Sequence, residues 1–334
     1  MKVLSQIVMP ALMGAVLGCS GASLAQTTSS FDKGSGGSGQ AYPTKPIRFI
    51  VGPGPDVLAR LIGQKLTDAW GQQVVVDQRP GAGGIIAADT VAKSVPDGYT
   101  LLLTTGAYTI NAVVYPKLPY NLERDLAPVD LLAVISFIVI VNPSVPAKSM
   151  QELVQLARAK PGAFNCAHSG PATTAHLGCE MLKRSAGIDI VSVSYKGTIP
   201  AIVDVISGQA QLMFAVMQGG LPQVQAGKLR AVAVTGAKRA AALPEVPTIT
   251  EAGFRGADFI SWNGVHVRAG TPKPILAKLN GGLNDALKRP DIQERMTALG
   301  LEPAGGTPEA FGTFVKEDIA RWSKVIRETG VRVE

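Results

Sequence analysis

The chain has little of what most catalytic, metal and membrane chemistries require. It carries three cysteines and three histidines in 334 residues. His168, His176 and His266 stand in no zinc-like spacing with Cys166 and Cys179, so no metal centre is expected. No serine sits in a G-x-S-x-G elbow. His168 and Ser169 are adjacent, and adjacent side chains at a strand end point to opposite faces, which argues against a base–nucleophile pair. The stretch Gly52-Pro-Gly-Pro-Asp56 lacks the third glycine of a dinucleotide loop, and Pro55 removes an amide donor. The reading is a non-enzyme without a cofactor.

Long hydrophobic runs are scarce as well. Beyond the N-terminal region nothing approaches the ~20 apolar residues of a spanning helix; the longest run, Leu131–Val141, is interrupted by Ser136. The formal charge is +7, but Lys and Arg are scattered and form no stripe, so no nucleic-acid partner is expected. No solenoid-type repeat occurs.

Residues 1–25 read as an export signal. Lys2 supplies the charged start, Val3–Leu17 is mostly apolar, and Ser23-Leu24-Ala25 is a small-x-small cleavage site. Cleavage there removes one positive charge and no negative one. Val16-Leu-Gly-Cys19 fits a lipoprotein signal as an alternative, with Cys19 lipidated. Residues 26–41 contain Gly34-Ser-Gly-Gly-Ser-Gly39 and read as a flexible linker. If Cys19 leaves with the signal, Cys166 and Cys179 remain as an even pair outside the cytoplasm. They are expected either to close a disulfide or to stay as buried thiols.

From Ile47 onward short apolar runs alternate with amphipathic helix patterns: strand 47–51, helix 56–69, strand 74–76, helix 85–93, strand 99–104. That alternation predicts a parallel sheet covered by helices. A long strand-like run over 130–141 leads to a second set: helix 150–159, strand 163–167, helix 173–185, strand 190–193, helix 199–206, and strands 211–216 and 229–235. Strand 260–267 and helices 273–287, 290–299 and 308–329 complete the chain. Two αβ sets with long strands near 130–141 and 259–268 predict two lobes joined by two crossovers, the C-terminal helices returning to the first lobe.

In open α/β sheets ligands sit beyond the carboxyl ends of the strands. That rule selects residues 52–56, 104–109, 168–174, 195–198 and 215–218. These loops offer hydroxyls, backbone amides at helix starts, Tyr195 and one cation, Lys196. Gly81-Ala-Gly-Gly84, Ser169-Gly-Pro-Ala-Thr-Thr174 and Tyr195-Lys-Gly-Thr198 each precede a helix pattern, where the macrodipole favours negative charge. Such cradles suit a small acid, since charge-assisted hydrogen bonds are roughly twice as strong as neutral ones. Thr173 or Thr174 could equally do no more than cap its helix.

Several stretches resemble a known family. Tyr42-Pro-Thr-Lys-Pro-Ile-Arg48, Arg79-Pro-Gly-Ala-Gly-Gly84, Pro96-Asp-Gly-Tyr-Thr-Leu101, Asn142-Pro-Ser-Val-Pro-Ala-Lys-Ser149, Leu243-Pro-Glu-Val-Pro-Thr248 and Ala269-Gly-Thr-Pro272 look like signatures of the tripartite tricarboxylate transporter substrate-binding proteins, the Bug family. The resemblance runs from about Tyr42 to the C-terminus. It implies an α/β, two-lobed, type II-like periplasmic binding protein, each lobe a sheet flanked by helices, with two crossover strands. The expected division is 42–135 with 262–334 as lobe 1 and 136–261 as lobe 2. It also implies a monomer that captures a small organic acid in the periplasm and hands it to membrane transporter subunits; engagement of a membrane sensor kinase is the alternative.

Carried over from the family, the ligand-binding positions are Gly52, Pro53, Gly54, Asp56, Thr105, Gly106, Ala107, Ser169, Thr173, Thr174, Tyr195, Lys196, Gly197 and Ala215. Two departures stand out. The loop before Asp56 is several residues shorter than the family's usual Pro-Phe-Pro-Pro-Gly-Gly type. Ala215 replaces the aspartate of a common Met-Phe-Asp, which disfavours a ligand amino group.

Overall fold

The computed structural model describes residues 42–52, 56–79 and 81–331. The expected signal, linker and Cys19 lie outside the described residues, as do Pro53 and Gly54. The first strands and helices alternate: β1 (Ile47–Val51), α1 (Val57–Trp70), β2 (Val74–Gln78), α2 (Ile85–Ala92), β3 (Thr100–Thr105). Leu58, Ile62 and Leu66 recur at helical spacing and form the buried stripe of α1. β1 is apolar at nearly every position because helices cover both faces, and it pairs in parallel with β2 and β3.

Next come α3 (Gly106–Val114), the short α4 (Leu122–Asp125) and the long β4 (Leu126–Val141). β4 changes partners part-way. Up to Ser136 it pairs antiparallel with β9 (Ile260–Arg268), and from Phe137 it pairs antiparallel with β7 (Leu212–Val216) and, from Ile138, with β8 (Arg230–Val234). Between these lie α5 (Met150–Ala159), β5 (Asn165–His168), α6 (Thr174–Ala186), β6 (Val191–Ser194), α7 (Thr198–Ser207) and α8 (Met217–Gln225). The chain ends with α9 (Lys273–Leu287), α10 (Pro290–Ala298), β10 (Glu302–Pro303) and α11 (Pro308–Thr329).

The sheet is mixed, not parallel throughout as the alternation predicted. β9 enters between β3 and β4 from the far half of the sheet and runs against both. Three helices were also not anticipated: the short α4, α3 and α8. α3 is built from Thr109, Ile110, Val113 and Val114, whose β-branching lowers helix propensity. Tertiary contacts hold it: Thr109 Oγ1 donates to Asp318 Oδ2 (2.6 Å), and Trp262 Nε1 donates to the same oxygen (2.8 Å). α8 contains Gly219, Gly220 and Pro222, residues of low helix propensity. It forms because Gly220 lets the helix approach Ala215 and Ile138 closely.

Candidate functional site

The sheet register builds the floor of one cavity. Side chains two apart share a face, so Leu103 and Thr105 on β3, Asn263 and Ser261 on β9, and Ile135 and Phe137 on β4 form a row across adjacent strands. Thr105 is opposite Asn263, Ile135 opposite Ser261, and Phe137 opposite Val216. The cavity volume is about 330 Å³, at the lower end of the usual small-molecule range of about 300–1,000 Å³. Leu299 and Leu301, from the connection between α10 and β10, add apolar surface.

Four helices begin at this cavity. Val57 and Leu58 open α1, Thr105 is the N-cap of α3, Thr173 that of α6 and Val216 that of α8. Each start presents amide donors and the positive end of a macrodipole. None of the described residues lining the cavity carries a charge at neutral pH. A hollow lined by uncharged groups and helix N-termini suits an anion and offers an ammonium group no carboxylate partner among the described lining residues.

The loop leading into α6 is held from several sides. Cys166 on β5 and Cys179 on α6 are joined by a disulfide that brackets it. Within it, His168 Nδ1 donates to Gly170 O (2.8 Å), and Ala172 N donates to His176 Nδ1 (3.0 Å). Those partners fix opposite tautomers on the two neutral rings, which stack with centroids 4.2 Å apart. Burial, followed by the neighbouring His176, pushes the His168 pKa down to about 4; burial lowers that of His176. Thr173 Oγ1 donates to Gly170 O (2.8 Å) and accepts from His176 N (3.3 Å), so it caps α6 while lining the cavity. Ser169 and Thr174 line it beside Thr173.

The opposite wall is tighter. Tyr108 is 2 % exposed and lines the cavity, and its Oη has no hydrogen-bond partner among the described residues. Burial raises its pKa far above the ordinary phenol value. A Cβ at Gly52 would lie 2.7 Å from that oxygen, and one at Gly84 would lie 2.8 Å from it. Both positions are therefore closed to any side chain by this phenol.

Of the residues expected at the site, the structure brings Gly52, Thr105, Ala107, Ser169, Thr173 and Thr174 together around the cavity. Gly106 instead faces β9, where a Cβ would meet Ser261 Oγ at 3.0 Å. Asp56 turns to Arg60, 2.6 Å away. Tyr195 packs against the apolar cluster that includes Ile138, Ile202 and Leu221, Gly197 is the N-cap of α7, and Lys196 is exposed. Ala215 is fully buried on the far face of β7, while its neighbour Val216 lines the cavity. The expectation that position 215 selects against amino groups therefore loses its geometric basis.

Residues not singled out from the sequence complete the wall: Tyr108 and Gln218, inside the selected loop ranges, and Ser261, Asn263, Ile135 and Phe137 outside them. For Ser261, Asn263, Ile135 and Phe137, the signal was period-two alternation on the two long strands. His266, on the opposite face of β9, bonds Thr104 Oγ1 through Nδ1 (2.9 Å) and is buried and structural. No group of residues suited to holding a metal ion occurs among the described residues.

Comparison with known proteins places this architecture. Residues 58–331 match the tripartite tricarboxylate transporter family receptor. Protein BugT of Bordetella pertussis is 34% identical over 303 residues, covering 89% of this chain and 93% of BugT. The solved structure of Rhodopseudomonas palustris Rpa4515 with adipate superposes with a TM-score of 0.81 at 34% identity, over 87% of this chain and 99% of that one. MatC from the same organism, with bound malate, gives 0.75 at 31%, over 85% and 100%. The mixed α/β fold is that of the periplasmic binding proteins, and the chain belongs to the tripartite tricarboxylate transporter receptor family, a family of solute receptors rather than enzymes.

Proposed function

We propose that this protein captures a small carboxylate-bearing molecule in the periplasm and delivers it to a membrane transporter of the tripartite tricarboxylate type. The observation that carries this reading is the convergence of four helix N-termini on one cavity whose described lining bears no charge. Relatives whose solved structures hold adipate or malate support the choice of carboxylate. Export follows from cleavage after Ala25, and mass spectrometry of the secreted protein beginning at Gln26 tests it.

In this reading residues 42–135 with 262–334 form one lobe and 136–261 the other. The change of strand partners at Ser136/Phe137 supports that boundary. The lobes close on the ligand by a hinge in β4 and β9. A thermal-shift screen of mono-, di- and tricarboxylates tests the function, because a ligand at ~100 times its Kd adds ~2.7 kcal/mol of stability. Absence of any shift across the panel would remove the carboxylate reading.

A further inference from the structure

Polar and apolar side chains share the cavity, and the apolar ones bear on which carboxylate fits. Polar side chains come from the α6 start (Ser169, Thr173, Thr174) and from the Thr105–Asn263 register position with Ser261. Tyr108 and Gln218 add two further polar groups, and the other described lining side chains are hydrocarbon. Leu103, Ile135, Phe137 and Val216 lie on the floor strands, and Val51, Leu58, Leu299 and Leu301 add further apolar lining. A ligand lying along the floor meets donors at restricted points and carbon elsewhere.

We infer that the ligand is a carboxylate with a hydrocarbon body, an alkyl chain or ring without hydroxyl substituents, and that Val216, Ile135, Phe137 and Leu301 set this specificity. The inference rests on the carboxylate reading above and narrows it. A hydroxyl on the ligand body that is pressed against these four residues loses its water and finds no partner among them, and such a loss weakens binding roughly ten- to a hundred-fold. A methylene at the same point gains from burial. Amino substituents are disfavoured for a separate reason: no described lining residue is acidic, and Asp56 is paired with Arg60. Position 215, where the sequence suggested this discrimination, is not involved.

Adipate and mucate make a matched test, with equal length and charge and with mucate bearing a hydroxyl on each inner carbon. Calorimetric titration of the mature protein should give adipate at least ten-fold tighter than mucate, and benzoate or hexanoate tighter than malate. Mucate or citrate binding as tightly as adipate, or more so, would overturn the hydrocarbon inference and leave the carboxylate reading standing. No heat with any of these acids would remove both. A second arm uses Val216→Asn, which places a good capping residue at the N-cap of α8 and so is compatible with folding. With its thermal unfolding checked against the parent, this variant should bind adipate about ten-fold more weakly and narrow the adipate–mucate gap. An unchanged gap would show that the apolar floor does not touch the ligand body.

Discussion

The wall made by β1, β3 and α3 and the wall made by the start of α6 close one cavity with different materials. The first is set by volume: Gly52 and Gly84 lie against the Tyr108 hydroxyl with no room for a methyl group, and Tyr108 is the main polar side chain there besides Thr105. The second is set by hydrogen bonds: Ser169, Thr173 and Thr174 stand on a loop tied down by a disulfide and two stacked neutral imidazoles. One wall should therefore respond to added atoms and the other to lost donors or added protons. A single scaffold thus combines a shape filter with a polar grip.

The largest effect belongs to the tight wall. Gly84 has φ of 95° and its Cβ would overlap the Tyr108 ring. Gly84→Ala combines backbone strain with overpacking and should cost about 2–4 kcal/mol in chemical denaturation. Gly52→Ala carries only the packing conflict and should cost about 1–3 kcal/mol. Adding Tyr108→Phe to Gly52→Ala removes the clashing oxygen and should recover part of that loss. Strict additivity of the two changes would show that the phenol does not define this wall.

The donor wall should fail with acid. His168 is neutral in the folded state with a pKa of about 4, below the 6.5 of a free histidine. The unfolded chain therefore takes up the proton first. The stabilising contribution is complete above about pH 6.5 and is lost as pH falls toward about 4, by up to roughly 3 kcal/mol at ~1.4 kcal/mol per unit. The groups facing the pair are Glu180, 4.0 Å from His176 Nε2, and Lys183 bound to Glu180. His168→Asn retains a donor for Gly170 O and should reduce the slope of the melting temperature against pH across this window, leaving the part due to His266, whose burial pushes its pKa down to about 3. A variant with the parent's slope would place the acid sensitivity elsewhere.

Much of the donor wall was legible in the sequence because its signals are local. A run of small and hydroxyl residues before an amphipathic helix specifies a cap, and Thr173 caps α6 as one of the two expected roles. The cysteine pair is bonded because β5 and α6 are adjacent elements. The tight wall and the floor were less legible. Tyr108 gains its meaning only when β1 and α2 bring Gly52 and Gly84 against it. Leu299 and Leu301 arrive from the far end of the chain. Ala215 shows how one residue of register matters, since the alternation of β7 turns it away and turns Val216 inward. Boundaries of strands and helices came within a residue or two wherever apolar periodicity was strong, as in α5, α9 and α11.

Loss of single donors on the α6 wall should have an intermediate effect, seen in affinity rather than stability. Ser169→Ala and Thr174→Ala should each weaken carboxylate binding by about 1.5–3 kcal/mol, the range for a hydrogen bond to a charged group. Thr173→Ala should in addition cost about 1 kcal/mol of stability, since it caps α6 as well as lining the cavity. Calorimetry together with thermal unfolding separates the two effects. Alanine variants that bind like the parent would move the anion's main contacts to the backbone amides.

The smallest effect is expected at Lys196, the residue that charge alone would favour. It is exposed on the loop before α7 and does not line the cavity, whereas every described lining residue is uncharged. A cation at that position acts through water and salt, and beyond about 8 Å at physiological ionic strength it is largely screened. Surface substitutions of this kind usually stay within about 0.5 kcal/mol. Lys196→Met should therefore change the Kd for adipate by about two-fold or less in 150 mM salt, with a somewhat larger change in 10 mM salt through the association rate. If the variant instead loses binding at both salt concentrations while Ser169→Ala and Thr174→Ala bind normally, the charge is held by a side-chain cation. The convergence of uncharged helix ends would then not be what holds the acid.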